Sequence, residues 1–149
     1  MDSRRQTLMD AMAALGLGQH PQSLINGPLT DGSGVNIQLA DPFTETHLLS
    51  HADADAALAT QACEPAQSAQ AGWANGILAA WRGHITRDIS HAILANAVPL
   101  ATIEAIIAGK PIRNCRIKVA QVAEMFAFCA GWARKPHGEV IPVPSGHLN

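Results

Sequence analysis

Charge is scarce in this chain. Charged residues make up 15% of it, against a typical ~25%. The Lys and Arg residues are scattered and the formal net charge is −2, so the chain lacks the basic footprint of a nucleic-acid binder. No apolar run approaches the ~20 residues of a membrane span. Neither G-x-G-x-x-G nor G-x-x-x-x-G-K-[ST] occurs, so both common nucleotide fingerprints are missing. Three cysteines, an odd number without framework spacing, argue against a disulfide scaffold and for reduced thiols in a cytoplasm. Arg4 and Arg5 precede an apolar stretch, but Asp10 interrupts it and no small-residue cleavage pattern follows, which argues against a signal peptide.

The 149 residues suit one domain, and hydrophobic residues at 48% supply a core. Four segments are expected: a helix and lead-in (1–22), a hairpin (23–49), a helical layer (50–133) and a strand that begins within 137–149. In the first, Ser3 can cap a helix whose apolar face is Leu8, Ala11, Met12 and Leu15, with Gly16 as terminator. In the second, Leu24–Gly27 and Val35–Leu39 flank Asp31-Gly32-Ser33-Gly34. The alternation of Val35, Ile37 and Leu39 and the Asp-Gly pair predict that these two runs form the arms of one hairpin. Asp41-Pro42-Phe43-Thr44 reads as a turn and His47-Leu48-Leu49 as a further short strand.

Ser50-His51-Ala52-Asp53 has the form of a capping box, and the Ala-rich helix it opens is expected to be limited by Pro65. Ile77, Trp81, Ile85, Ile89, Ala92 and Ile93 then predict one apolar, core-facing stripe. Pro99 suits the first turn of the next helix, and Gly109-Lys110-Pro111 ends it. The strongest helix runs from about Arg113 to Ala133. Its expected core stripe is Cys115, Val119, Val122, Phe126, Cys129 and Ala133.

Each candidate for chemistry has a competing structural explanation. Asp31–Gly34 has the composition of a phosphate cradle, but it lies between strands instead of before a helix, which favours a turn. His47 and His51 are four apart yet lie astride the expected cap, and His84 and His91 are seven apart, so neither pair has same-face helical spacing for a metal. Gln61-Ala62-Cys63 resembles the surroundings of catalytic cysteines. However, Cys63 falls inside an Ala-rich helix and lacks the preceding glycine, so packing is the reading adopted. Cys115 and Cys129 are assigned to the core stripe, and Glu104 and Glu124 to solvated surface. Asn149 has no context for an oxyanion role. No catalytic, cofactor-binding or metal-binding residue is therefore assigned.

One set of motifs points further. Leu24-Ile25-Asn26-Gly27, Asp41-Pro42-Phe43-Thr44, Ala71-Gly72-Trp73-Ala74, Gly109-Lys110-Pro111 and the closing Ala130-Gly131-Trp132-Ala133…His137-Gly138-Glu139-Val140-Ile141-Pro142-Val143 occur in an order and spacing that resemble the aldehyde dehydrogenase superfamily. Two departures are Ile107-Ala108 before Gly109, where that family has an acidic-polar pair, and the helix 81–96, which lacks its Arg/Glu-rich exterior. The resemblance implies an α/β fragment: an N-terminal β-hairpin, four to five helices, and a C-terminal strand used in that family for subunit assembly. It implies NAD(P)-dependent oxidation of an aldehyde to a carboxylic acid. The family's cysteine, glutamate, asparagine and nucleotide turn are expected later than Asn149, so no cofactor and no activity are expected of these residues alone. The strand Glu139–Val143 is expected to pair with another copy or a partner strand, and a non-catalytic interaction module pairing through it is the alternative reading.

Overall fold

The computed structural model describes residues 3–135 and Gly138. The expected strand at Glu139–Val143 lies outside them. The chain runs α1 (Ser3–Ala14), β1 (Ser23–Leu24), β2 (Leu29–Thr30), β3 (Asn36–Ala40), β4 (His47–Ala52), α2 (Ala56–Ala71), α3 (Ala79–Ala95), α4 (Ala97–Ala108) and α5 (Ile112–Trp132). A five-residue π turn, Gly72–Gly76, joins α2 to α3. No single helix among the described residues is long and apolar enough to cross a membrane, and α3 and α4 are bent by 69° against each other.

The strand region holds two hairpins where one was expected. In the first, β1 pairs with β2, and the reversal falls on Asn26 and Gly27, whose φ angles of 51° and 110° give the positive values a type I′ turn needs at both central positions. The Asp31–Gly34 glycines serve another purpose. A Cβ on Gly32 would lie 2.2 Å from the Asp53 carbonyl oxygen, and the Gly34 N–H donates to that oxygen at 2.9 Å. These glycines let two backbones approach closely. In the second hairpin β3 pairs antiparallel with β4 across the Asp41–Thr46 turn, with Leu39 opposite Leu49. An irregularity in register beside Ala40 breaks the alternation of β4, so that the adjacent Leu48 and Leu49 are both buried.

This second hairpin lies on α1 and α4. Leu8 and Met12 of α1, Leu48 and Leu49 of β4, and Ile106 of α4 form one core cluster. Two polar ties fix the arrangement: Arg4 pairs with Asp41, and Arg5 Nε donates to the Leu48 carbonyl at 2.7 Å. Gly16, at φ 71°, terminates the α1 region as expected. A second cluster of Ala101, Cys115 and Val119 ties α4 to α5, with Ile93 of α3 against it. Gly109 adopts φ 64° and closes α4 in the left-handed cap read from the sequence.

Three helical expectations are corrected. Ser50 lies inside β4, and the cap of α2 is Asp55, whose carboxylate accepts from the Leu58 N–H at 2.8 Å. Pro65 does not limit α2, which continues to Ala71, because one missing donor interrupts one bond of a long ladder. The stripe Trp81, Ile85, Ile89 does not face the core: Trp81 is 61% exposed. α3 approaches α5 through small residues instead. Gly83 lies where a Cβ would meet the Ala130 carbonyl oxygen at 2.9 Å, and the buried Ser90 hydroxyl donates to the Ala123 carbonyl at 2.7 Å.

Candidate functional site

Placed in three dimensions, the candidate residues do not converge. Cys63 is exposed on α2, so the packing assigned to it is corrected: Leu58 is the buried residue of that helix, and the turns beyond it stand away from the core. His47 Nε2 lies 2.7 Å from the Ser50 hydroxyl on the same strand, and His51 Nδ1 is enclosed without a hydrogen-bond partner. His84 stacks obliquely on Trp81, ring centroids 5.4 Å apart. Among the described residues no three His, Cys, Asp or Glu side chains gather in a way that would hold a metal ion. Cys115 is fully buried in the second cluster, as expected. Cys129 is exposed, because the covered face of α5 drifts from the expected heptad to Cys115, Val119, Ala123 and Ala130. Asn149 lies outside the described residues.

Glu104 is not a lone surface carboxylate. Lys110 Nζ donates to it at 2.6 Å, and this bond pulls the carboxyl below its ordinary range while raising the ammonium. Asp41, fully enclosed, experiences opposing effects. Burial pushes its pKa up, but the Phe43 N–H and the Arg4 guanidinium outweigh burial and hold it low. An open groove of about 590 Å³ lies between α1, the Phe43 turn and the α4–α5 junction. Its cations, Arg4 and Lys110, are engaged by Asp41 and Glu104, and among the described residues no nucleophile–base pair lines it.

The Asp31–Gly34 loop supplies no nucleotide cradle. Its glycines lie against Asp53, and the Ser33 hydroxyl donates to Asp55, the α2 cap, at 2.7 Å. The Leu58 N–H, and after it this Ser33 hydroxyl, hold the Asp55 carboxyl below the usual carboxylate range. The cofactor implied by the resemblance therefore does not fit this loop.

What the arrangement does offer is apolar surface. On α5, Ile117, Met125, Phe128 and Trp132 are exposed, Phe128 to 66%, on the side opposite the covered residues. On α3, Ile85 and Ile89 join Trp81 in the open. The Arg82 guanidinium crosses back to the carbonyls of Trp73, Ala74 and Ile77 (3.3, 3.3 and 2.5 Å), tying the start of α3 to the π turn that precedes it. Neither the open α5 face nor the Arg82 tie was read from the sequence. The first was visible as a second apolar period, and the second carried no local signal.

A mixed α/β architecture of two short hairpins and five helices, tied by small-residue helix packing, is that of the first part of a known dehydrogenase fold. The structure of PnpE in complex with nicotinamide adenine dinucleotide superposes with a TM-score of 0.74 at 32% identity, over 85% of this chain and 26% of that one. HpcC from Thermus thermophilus gives 0.78 at 26% identity, over 93% and 27%. In sequence, aldehyde dehydrogenase 1A1 of Rattus norvegicus is 31% identical over 129 residues, 83% of this chain and 26% of the relative. A butyrolactone dehydrogenase of Acinetobacter baylyi is 30% identical over 127 residues. Residues 29–149 match the model of the aldehyde dehydrogenase family, and the chain belongs to that family. It spans about a quarter of the length of the curated relatives it matches.

Proposed function

We propose that these residues form the N-terminal segment of an NAD(P)-dependent aldehyde dehydrogenase, and that the segment contributes fold and assembly while its chemistry is supplied elsewhere. The whole enzyme would oxidise an aldehyde to a carboxylic acid, the hydride passing to the nicotinamide. The observation that carries this reading is the family match over 29–149 on a chain whose candidate nucleophile, Cys63, stands on an exposed helix face. All three cysteines are free thiols, which fits a reducing compartment. The test is aldehyde-dependent NAD(P)H formation by the purified 149-residue chain. Background absorbance change is the expected outcome. Turnover that survives repurification and disappears in Cys63→Ala overturns the reading.

A further inference from the structure

Two Asn-Gly pairs occur in this chain, Asn26-Gly27 and Asn75-Gly76, and all four residues are exposed. Such a pair carries a reaction of its own. The glycine amide nitrogen can attack the asparagine side-chain carbonyl carbon, because glycine has no Cβ to keep the two apart. The new N–Cγ bond closes a five-membered imide. The Cγ–Nδ2 bond breaks, and Nδ2 leaves as ammonia with the proton of the attacking amide. Water then opens the imide at either carbonyl and leaves an aspartate or an isoaspartate. One water is consumed, one ammonia is released, and nothing is oxidised or reduced. Ring closure requires the main chain to rotate between the two residues, so the surrounding backbone decides which pair reacts.

The two pairs have opposite surroundings. Asn75 and Gly76 end the π turn Gly72–Gly76, in which N–H groups are tied to carbonyls five residues back. Arg82 fastens the same turn through the carbonyls of Trp73, Ala74 and Ile77. Asn26 and Gly27 instead form the tip of the first hairpin. The residues that flank a two-residue loop ordinarily exchange two hydrogen bonds. Here the Ile25 N–H donates to the Pro28 carbonyl at 3.1 Å, but Pro28 has no N–H to return. The Gly27 N–H has no partner among the described residues. Behind the tip the ladder holds only Leu24 opposite Leu29 and Ser23 opposite Thr30, and so short a ladder opens easily.

We propose that Asn26 is a site of spontaneous deamidation in the folded protein, selected over Asn75 by a hairpin tip that Pro28 leaves half closed. The isoaspartate product adds a methylene to the main chain of a two-residue loop, and the length of that loop sets the register of Leu24 on Leu29. Either product also places a negative charge at the tip.

The test follows the peptides that contain Asn26 and Asn75 by mass spectrometry. The 149-residue chain is incubated folded at mildly alkaline pH, with a second sample in urea. In urea only the local sequence acts. On folding, the ratio of the Asn26 rate to the Asn75 rate should rise roughly tenfold or more. Pro28→Ala supplies the missing donor and should slow Asn26 severalfold in the folded chain while Asn75 keeps its rate. The proposal is overturned if the ratio does not rise on folding, if neither asparagine converts in the folded chain while both convert in urea, or if Pro28→Ala leaves the Asn26 rate unchanged or faster.

Discussion

Two glycines in the α3–α5 pair test whether small residues set the helix contact. Gly131 lies in α5 with nothing within 4 Å of a Cβ built upon it, whereas a Cβ on Gly83 of α3 would lie 2.9 Å from the Ala130 carbonyl oxygen and 3.2 Å from the Ala133 Cβ. In a helix interior Gly→Ala gains roughly 0.8–1.0 kcal/mol. Gly131 is one residue from the helix end, so about half of that or a little more is expected. At Gly83 the same gain is opposed by forcing α5 backbone to move, and overpacking costs about 1–3 kcal/mol. Gly83→Ala should therefore be neutral to about 2 kcal/mol destabilising, and the larger, β-branched Gly83→Val should cost about 2 kcal/mol or more. At roughly 3–4 °C per kcal/mol for a chain of this size, Gly131→Ala should raise the melting temperature while Gly83→Ala leaves it unchanged or lowers it. Helix ellipticity followed through thermal and urea unfolding reads this out. If Gly83→Ala stabilises as much as Gly131→Ala, α3 and α5 are not in close contact and the packing described is wrong.

Leu48→Ala, at a fully buried position, should cost about 2–5 kcal/mol in urea unfolding, whereas Trp81→Asp should leave the midpoint almost unmoved; a large loss at Trp81 would return that ring to the core. The low pKa of Asp41 makes its stabilisation complete above the ordinary carboxylate value of 3.8 and lost as pH falls through the lower folded value. An acid titration of stability should therefore be flatter below pH 3.8 in Asp41→Asn than in the parent, and parallel curves would contradict the Arg4–Asp41 tie. Sedimentation of the full chain and of residues 1–137 tests association through Glu139–Val143: concentration-dependent association lost on truncation supports it, and two identical monomers refute it.

Much of the helical order was legible because its signals were local. Leu8 and Met12 of α1, the left-handed Gly109 and the span of α5 follow from apolar period and from terminators that act within one turn. Strand pairing was less legible, because Asn26-Gly27 and Asp31-Gly32 are equivalent as turn signals. A glycine needed for close backbone approach looks in sequence like one needed for positive φ. The direction of α3 was missed for a related reason. Its contact runs through Gly83 and Ser90, which add nothing to a hydrophobic stripe, while Trp81 and Ile85 define a stripe that the chain leaves open. Spacing alone kept the histidines apart, but Cys63 and Cys129 were placed in packing because sequence period does not say which side of a helix is covered.

The family match begins at residue 29, after α1 and the first strand, yet Leu8 and Met12 sit at the centre of the core that holds Leu48, Leu49 and Ile106. The boundary of the family-model match and the boundary of the folding unit thus fall at different places. An expression fragment cut where the resemblance starts would keep nearly every recognisable motif and uncover the β4 leucines that α1 shelters. It would also remove Arg4 from Asp41, leaving an enclosed carboxylate without its cation. The stretch that the family model leaves out is one on which the second hairpin depends for its core.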